Sequence, residues 1–201
     1  MTAMKIGCDN LVWAPLTADD GTLITYGTPV PFPGLMKIGI SPNSSTGTAF
    51  FDNGPGDTAA TLGAIEVTID KNALSSNEEA LLLGHTIGTN GVVISSGDDV
   101  PPEGALGYRT LKSNGKHAYV WLLKGSFSEP EDNSETRGDS VSFQNPTIKG
   151  NFSKVTKKYT IGGKVVQPWR TKLDEEDAAA TPEAISKFFN APVLPDTVFT
   201  A

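Results

Sequence analysis

A predicted β-hairpin in the middle of the chain constrains the fold more than any other feature. Asn114-Gly115 separates two strand-like runs, residues 107–112 and 119–127. An Asn-Gly pair tolerates positive φ at both central positions, as tight hairpin turns require. The second run is apolar on both faces at its start, which predicts a central strand covered on both sides. Its alternation assigns one face to five residues: Tyr119, Trp121, Leu123, Gly125 and Phe127.

A third long strand is predicted after an acidic loop. Ile148, Gly150 and Phe152 alternate with polar residues, which is the period of a half-buried strand. Residues 128–140 form the loop that joins this strand to the hairpin. Three antiparallel strands are therefore expected at the centre of the fold.

Two short helices carry capping signals. Ser75 or Ser76 precedes Glu78 or Glu79 at capping-box spacing, and Gly84 supplies a C-terminal stop. The second helix is expected to open at Thr181-Pro182, with the threonine as cap and the proline at the first helical position.

The fold class predicted from these elements is mainly β, an antiparallel β-sandwich or open barrel with one or two short flanking α-helices. Its 201 residues suit a single domain. Residues 1–201 are assigned to that domain, with a flexible N-terminal arm at about 1–10 and a loose C-terminal tail at about 191–201.

Charge and cysteine content narrow the function classes. The net charge of -7 argues against a protein that coats nucleic acid by neutralising phosphate. The single cysteine, Cys8, forms no internal disulfide. No stretch has the length and apolar content of a signal peptide or a membrane span, so no membrane association is expected.

Catalytic chemistry finds little support in the sequence. His85 follows the helix stop and His117 lies at the shoulder of the hairpin, so surface or capping roles are expected for both. Cys8 has no obvious base and is not a credible nucleophile. We therefore predict that the protein is not an enzyme, assign no catalytic, cofactor-binding or metal-binding residues, and expect no cofactor.

Three charged or polar segments are open to more than one interpretation. Residues 129–139 form the densest acidic segment, for which a solvated loop is favoured over a weak cation site. The tripeptide Arg137-Gly138-Asp139 within it is treated as coincidence. The basic run 149–172 is interpreted as a solvated hairpin face or, alternatively, as a contact with an acidic part of a neighbouring copy.

The segment at residues 41–56 is a long polar stretch interrupted by Phe50-Phe51. It is predicted to be a loop, and loops of this length are uncommon in compact domains unless they have a function. Two adjacent phenylalanines suggest that it packs against its own domain or against a partner.

An ordered series of short motifs gives the chain a family resemblance. The motifs span about residues 7–194, and the most telling are Gly107-Tyr-Arg-Thr-Leu-Lys-Ser-Asn-Gly-Lys116, Tyr119-Val-Trp-Leu122, Lys124-Gly-Ser-Phe-Ser-Glu-Pro-Glu131, Gly138-Asp-Ser140 and Pro146-Thr-Ile-Lys-Gly150. Earlier members of the series are Gly7-Cys-Asp-Asn-Leu-Val-Trp-Ala-Pro-Leu16, Tyr26-Gly-Thr-Pro-Val30, Ser41-Pro-Asn-Ser-Ser-Thr46 and Leu82-Leu-Gly-His85. In this order they resemble the major tail protein, or tail tube protein, family of long flexible-tailed bacteriophages (siphophages) of Gram-positive hosts.

The resemblance implies a structural virion protein that self-assembles into hexameric rings stacked as a tail tube. Long β-hairpins would line the lumen, through which double-stranded DNA passes during ejection without specific binding. The implied partners are further copies of the chain and the tape measure, tail terminator and tail tip proteins. Assembly would take place in the host cytoplasm, and residues 41–56 are the candidate for ring-to-ring contact.

The alternative function is a non-catalytic β-sandwich module that binds carbohydrate or a cell surface. Trp13, Trp121 and Trp169 would supply a stacking platform if they were exposed. A core position for Trp121 is favoured by its place in the central strand. A hydrolase acting through His85 or His117 is the third and least supported class.

Overall fold

The computed structural model describes residues 3–51, 54–132, 134–136 and 143–199, with side chains described outside 48–60. The helices and strands of the described residues are, in chain order, β1 Lys5–Asp19, β2 Ile24–Tyr26, β3 Val30–Pro31, β4 Leu35–Phe51, β5 Gly54–Lys71, α1 Ser76–Leu83, β6 Thr86–Ile87, β7 Val93–Ile94, β8 Gly104–Lys112, β9 His117–Phe127, β10 Thr147–Ser153, β11 Tyr159–Ile161, β12 Lys164–Val166, β13 Arg170–Asp174 and α2 Pro182–Lys187. The prediction of a mainly antiparallel β fold with two short helices is confirmed.

The main sheet runs β2-β1-β8-β9-β10-β5-β4, and its described pairs are antiparallel. The central strand β9 pairs with β8 along one edge. Along its other edge, the first part of β9 pairs with β13 and the last part pairs with β10. The predicted hairpin turn is present, with Gly115 at φ 78°, but Asn114 does not have the positive φ that was expected at both central positions. Near the ends of the sheet, Sγ of Cys8 in β1 lies 3.8 Å from the carbonyl oxygen of Met36 in β4. No described backbone pair joins β1 to β4, so the sheet curls without closing.

Two apolar clusters lie on opposite faces of β9, as the apolar start of this strand predicted. Val120 and Leu122 belong to a first cluster with residues of β1, β5, β8, β10 and α1. Tyr119, Trp121 and Leu123 belong to a second cluster that Phe188, at the C-cap of α2, helps to cover. Burial on both faces explains why β9 carries so few polar residues.

The predicted face of Phe127 is wrong. Phe127 belongs to the first cluster, opposite Tyr119, Trp121 and Leu123. The register between β8 and β9 shifts because the pairs Gly104↔Gly125 and Leu106↔Leu122 are two residues apart on β8 and three on β9. This irregularity is a β-bulge, and an extra residue on one strand moves the following side chains to the other face.

Both helix caps follow their predicted chemistry. The Ser75 side chain accepts from the backbone N–H of Glu78 and the Glu78 carboxylate accepts from that of Ser75, which completes a capping box. Gly84 ends α1 in the left-handed conformation at φ 79°. At α2, the Thr181 side chain accepts from Ala184 N–H, and Pro182 follows it.

Described residues of both the predicted arm and the predicted tail contact the rest of the domain. From Lys5 onward the expected arm is the first part of β1, and the pair Lys5↔Lys112 joins it to β8. In the expected tail, Val193 and Leu194 pack against the second cluster. The hydroxyl of Thr171 donates to the carbonyl of Val193 at 2.9 Å. Because both segments are largely polar, the sequence does not reveal the backbone pairing of the first or the apolar contacts of Val193 and Leu194 in the second.

Candidate functional site

A two-stranded ribbon extends the sheet beyond its last shared pair. Strand β5 pairs with β10 only from Ile65 to Asp70. From the Ser44↔Leu62 pair to the Phe51↔Gly54 pair, β4 and β5 pair with each other and with no third described strand. Eight residues of strand, Ser44 to Phe51, span about 26 Å at ~3.3 Å per residue. We call residues 44–51 and 54–62 the distal ribbon.

The distal ribbon replaces the loop predicted at residues 41–56. Every residue from Ser41 to Gly47 and from Thr61 to Ala64 is exposed. A strand exposed on both faces has no buried side to impose an apolar-polar alternation, which is why its composition resembled that of a loop. Phe50 and Phe51 have strand backbones in β4, and the side-chain packing predicted for them lies outside the described part of the chain.

All the charged residues of this segment are acidic. Residues 41–62 contain two acidic residues, Asp52 and Asp57, and no lysine, arginine or histidine. Double-stranded DNA is bound non-specifically through cations that neutralise phosphates. A segment of this composition therefore has no means of holding a DNA backbone by charge.

The two histidines have different surroundings, and the surface or capping role predicted for His85 is wrong. The His85 side chain is 3% exposed, with Nδ1 2.8 Å from Oδ2 of Asp99. Its Nε2 lies 3.1 Å from Oε2 of Glu129 yet makes no hydrogen bond within the described structure. The hydrogen bond to Asp99, opposed by burial and assisted by Glu129, raises the pKa of His85. His117 is partly exposed, and its Nδ1 lies 3.4 Å from Oε1 of Glu175.

Glu79 completes a small group around His85. Ligand atoms of Glu79, His85 and Glu129 lie within 4.8 Å of one another. Glu79 comes from α1, His85 follows the C-cap of that helix, and Glu129 follows the end of β9. No spacing motif in the sequence marks this group, because its members meet through tertiary packing. Beside it opens a cleft whose lining includes Glu66, Glu131 and Glu135.

The core position favoured for Trp121 is confirmed, and the exposure that a tryptophan platform would require is absent for Trp13 as well. Trp13 and Trp121 are fully buried. Trp169 is partly buried against the first cluster, and the guanidinium of Arg170 lies 4.6 Å from the centre of its ring. Three aromatic rings so placed do not form one exposed stacking surface.

Only some charged residues of the predicted acidic segment, 129–139, and basic run, 149–172, form ion pairs within the described structure. Residues 133 and 137–142, including Arg137-Gly138-Asp139, lie outside the described residues. In the basic run, Lys157 pairs with Asp196 at 2.9 Å and Lys172 pairs with Asp174 at 3.0 Å. Four further lysines of the run are exposed: Lys149, Lys154, Lys158 and Lys164.

No family model matches the chain, and no curated protein is similar to it at a significant level. Among the described residues, no helix is long and apolar enough to cross a lipid bilayer.

Proposed function

We propose that the protein is a tail tube subunit of a long flexible-tailed phage, which self-assembles into stacked hexameric rings that conduct double-stranded DNA. The observation that carries the proposal is the distal ribbon, which extends beyond the sheet and is exposed over its described side chains. The ordered sequence motifs that resemble the tail tube family support the same function.

A two-stranded ribbon of this kind needs partners for its outer edges. A two-stranded hairpin alone is marginally stable in water, and its outer edges present unpaired backbone donors and acceptors. Neighbouring copies satisfy such edges by pairing or by covering them. The distal ribbon is accordingly the contact between subunits, and its lack of basic residues suits a tube through which DNA slides.

The partners under this proposal are other copies of the chain together with tape measure, tail terminator and tail tip proteins. The resulting assembly is part of the virion and forms in the host cytoplasm. The alternative, a carbohydrate- or surface-binding module, lost its main support when Trp13 and Trp121 proved to be buried.

The first experiment is negative-stain electron microscopy of the purified protein over a range of concentrations, with light scattering in parallel. We expect hollow rods or six-fold rings. A tail tip complex is added to the samples that remain monomeric, because an assembly that requires an initiator grows only from it. A protein that stays monomeric under both conditions contradicts the proposal.

The second experiment removes the ribbon alone. Ser44 and Leu62 are paired, so an Asn-Gly turn can replace the residues between them. We expect this variant to keep the thermal unfolding transition of the parent, since the pairs from Pro42↔Ile65 inward remain. It should form no tubes. The matched control replaces Thr160, an exposed residue of the β11–β12 hairpin, with serine and should assemble normally. Normal tubes from the shortened variant would show that the ribbon is not the contact.

A further inference from the structure

We propose that Glu79, His85 and Glu129 form a binding site for a divalent transition-metal ion, with Zn²⁺ as the best match. One ligand atom of each residue, a carboxylate oxygen or an imidazole nitrogen, lies within 4.8 Å of the other two, and Nε2 of His85 is the nitrogen that faces Glu129. Imidazole nitrogen and carboxylate oxygen are both zinc ligands, and a zinc ion held by three protein ligands keeps a fourth coordination position open. The site goes beyond tube assembly and does not depend on it.

The surroundings of His85 prepare its Nε2 for a metal. The side chain is 3% exposed, and Nδ1 lies 2.8 Å from Oδ2 of Asp99. Asp99 is itself held in place, because the same oxygen accepts the backbone N–H of Ser96 at 2.8 Å. A neutral histidine that donates from Nδ1 to a carboxylate has an unprotonated Nε2, and such a carboxylate partner is typical of metal-bound histidines.

Nε2 faces a negative charge without a hydrogen bond. Oε2 of Glu129 lies 3.1 Å away, although Nε2 has no hydrogen-bond partner in the described structure. A nitrogen lone pair directed at a carboxylate oxygen is repelled unless a cation lies between them. Two ligands on one zinc ion, each at about 2.0–2.1 Å, stand roughly 2.9–3.4 Å apart for bond angles of about 90–110°. The observed separation falls within that range.

The types of ligand and their charge favour a divalent transition metal over Mg²⁺ or Ca²⁺. Mg²⁺ and Ca²⁺ prefer sites built from oxygen ligands, whereas imidazole suits Zn²⁺ and its neighbours. Two carboxylates balance the charge of a divalent ion. The competing explanation is an imidazolium ion paired with Asp99 and Glu129, which needs no metal and would give no saturable binding.

A metal here would connect three parts of the fold. Glu79 lies in α1, His85 follows Gly84 at the end of that helix, and Glu129 begins the acidic loop after β9. The ion would fix the start of the acidic loop against the helix. Its consequence for the protein is therefore local rigidity beside the acidic cleft.

The test is isothermal titration of Zn²⁺ into the chelator-treated full chain, with Co²⁺ absorption spectra to report the coordination. We expect one ion per chain. Glu129→Gln should weaken binding by at least about tenfold, and Asp99→Asn by about 10–100-fold. Glu129 is 62% exposed, so its variant should fold. Glu131→Gln, an exposed change in the same cleft, should match the parent within about twofold.

The Co²⁺ spectrum separates this site from a diffuse acidic surface. Co²⁺ in a four-coordinate site has stronger visible ligand-field bands than hydrated, six-coordinate Co²⁺, and Glu79→Gln and Glu129→Gln should alter these bands whereas Glu131→Gln should not. Absence of saturable Zn²⁺ binding overturns the proposal, as does equal affinity in the parent and Glu129→Gln. Either result would assign His85 to a metal-free ion pair.

Discussion

Gly125 of β9 lies directly against the ring of Phe152 in β10. The two residues are partners in the sheet register. A Cβ at position 125 would lie 2.3 Å from Cγ of Phe152 and 2.7 Å from the carbonyl oxygen of Asn151. The close approach falls just past the β-bulge, where the face of β9 changes, and it lets the Phe152 ring reach the first apolar cluster.

Substitution of Gly125 by alanine should destabilise the fold because backbone and ring cannot both move away. We expect the free energy of unfolding to fall by about 1–3 kcal/mol, the usual cost of overpacking. Urea denaturation of the monomer measures it. Gly7→Ala in β1 is the matched control, since its Cβ would meet Leu111 Cβ at 3.9 Å. Equal stability of the two variants would contradict the assigned packing.

Much of the centre of this fold could be predicted from the sequence. The Asn114-Gly115 turn, the apolar start of β9 and the alternation of β10 are local signals, and each corresponds to an element of the structure. The capping box at Ser75 and the threonine cap at Thr181 are local for the same reason. These features are encoded within a few residues of one another.

Features that depend on distant partners could not be predicted in this way. The described side chains of the distal ribbon are exposed, so no apolar-polar alternation marks these residues as strand. The β-bulge that moves the Phe127 side chain to the other face of the sheet arises from the pairing of β8 with β9. It cannot be inferred from the apolar-polar alternation of β9 alone. The group around His85 contains residues separated by up to 50 positions in the sequence. Glu129 reaches His85 only because the folded sheet places the end of β9 beside the end of α1.

Acid should destabilise the protein through a buried ion cluster at Lys112. The lysine side chain is 3% exposed, and its Nζ contacts Asp174 and, at 2.6 Å, Glu176. Burial opposes ionisation of Asp174, but hydrogen bonds from Lys112, the Glu176 backbone and Lys172 lower its pKa from 3.8 to about 2. Because the folded pKa is the lower one, this stabilisation is present above pH 3.8 and is lost as the pH falls toward about 2.

Asp174→Asn removes the titrating group and should flatten the pH dependence of unfolding in that window. Chemical denaturation at a series of pH values measures the slope. Asp177→Asn, an exposed change in the same acidic run, should leave the slope unchanged. A parent and an Asp174→Asn variant with identical slopes would show that Asp174 is not stabilised as the structure indicates.

The hydrogen bond from Trp121 to α2 should contribute measurably to stability. Nε1 of Trp121 donates to the carbonyl of Phe188 at 2.9 Å within a fully buried site. Trp121→Phe leaves that acceptor unpaired and opens a cavity, so we expect a loss of about 1–3 kcal/mol. Trp169→Phe should cost less than about 1 kcal/mol because Trp169 is only partly buried. Thermal and urea unfolding compare the two, and equal losses would contradict the expected order.

Hydrogen exchange should identify the distal ribbon as the element ordered by assembly. Its backbone pairs join only β4 to β5, and such a ribbon gains little from the rest of the domain. Its amides should therefore exchange quickly in dilute monomer, since local opening there costs little free energy. Once subunits cover its edges, the same amides should be protected by at least about tenfold, equivalent to ~1.4 kcal/mol. Amides of β9, paired on both sides in the monomer, provide the internal control and should be protected in both states. Protection of the ribbon that is identical in monomer and tube would mean that other surfaces join the subunits, and the shortened variant would then be expected to assemble.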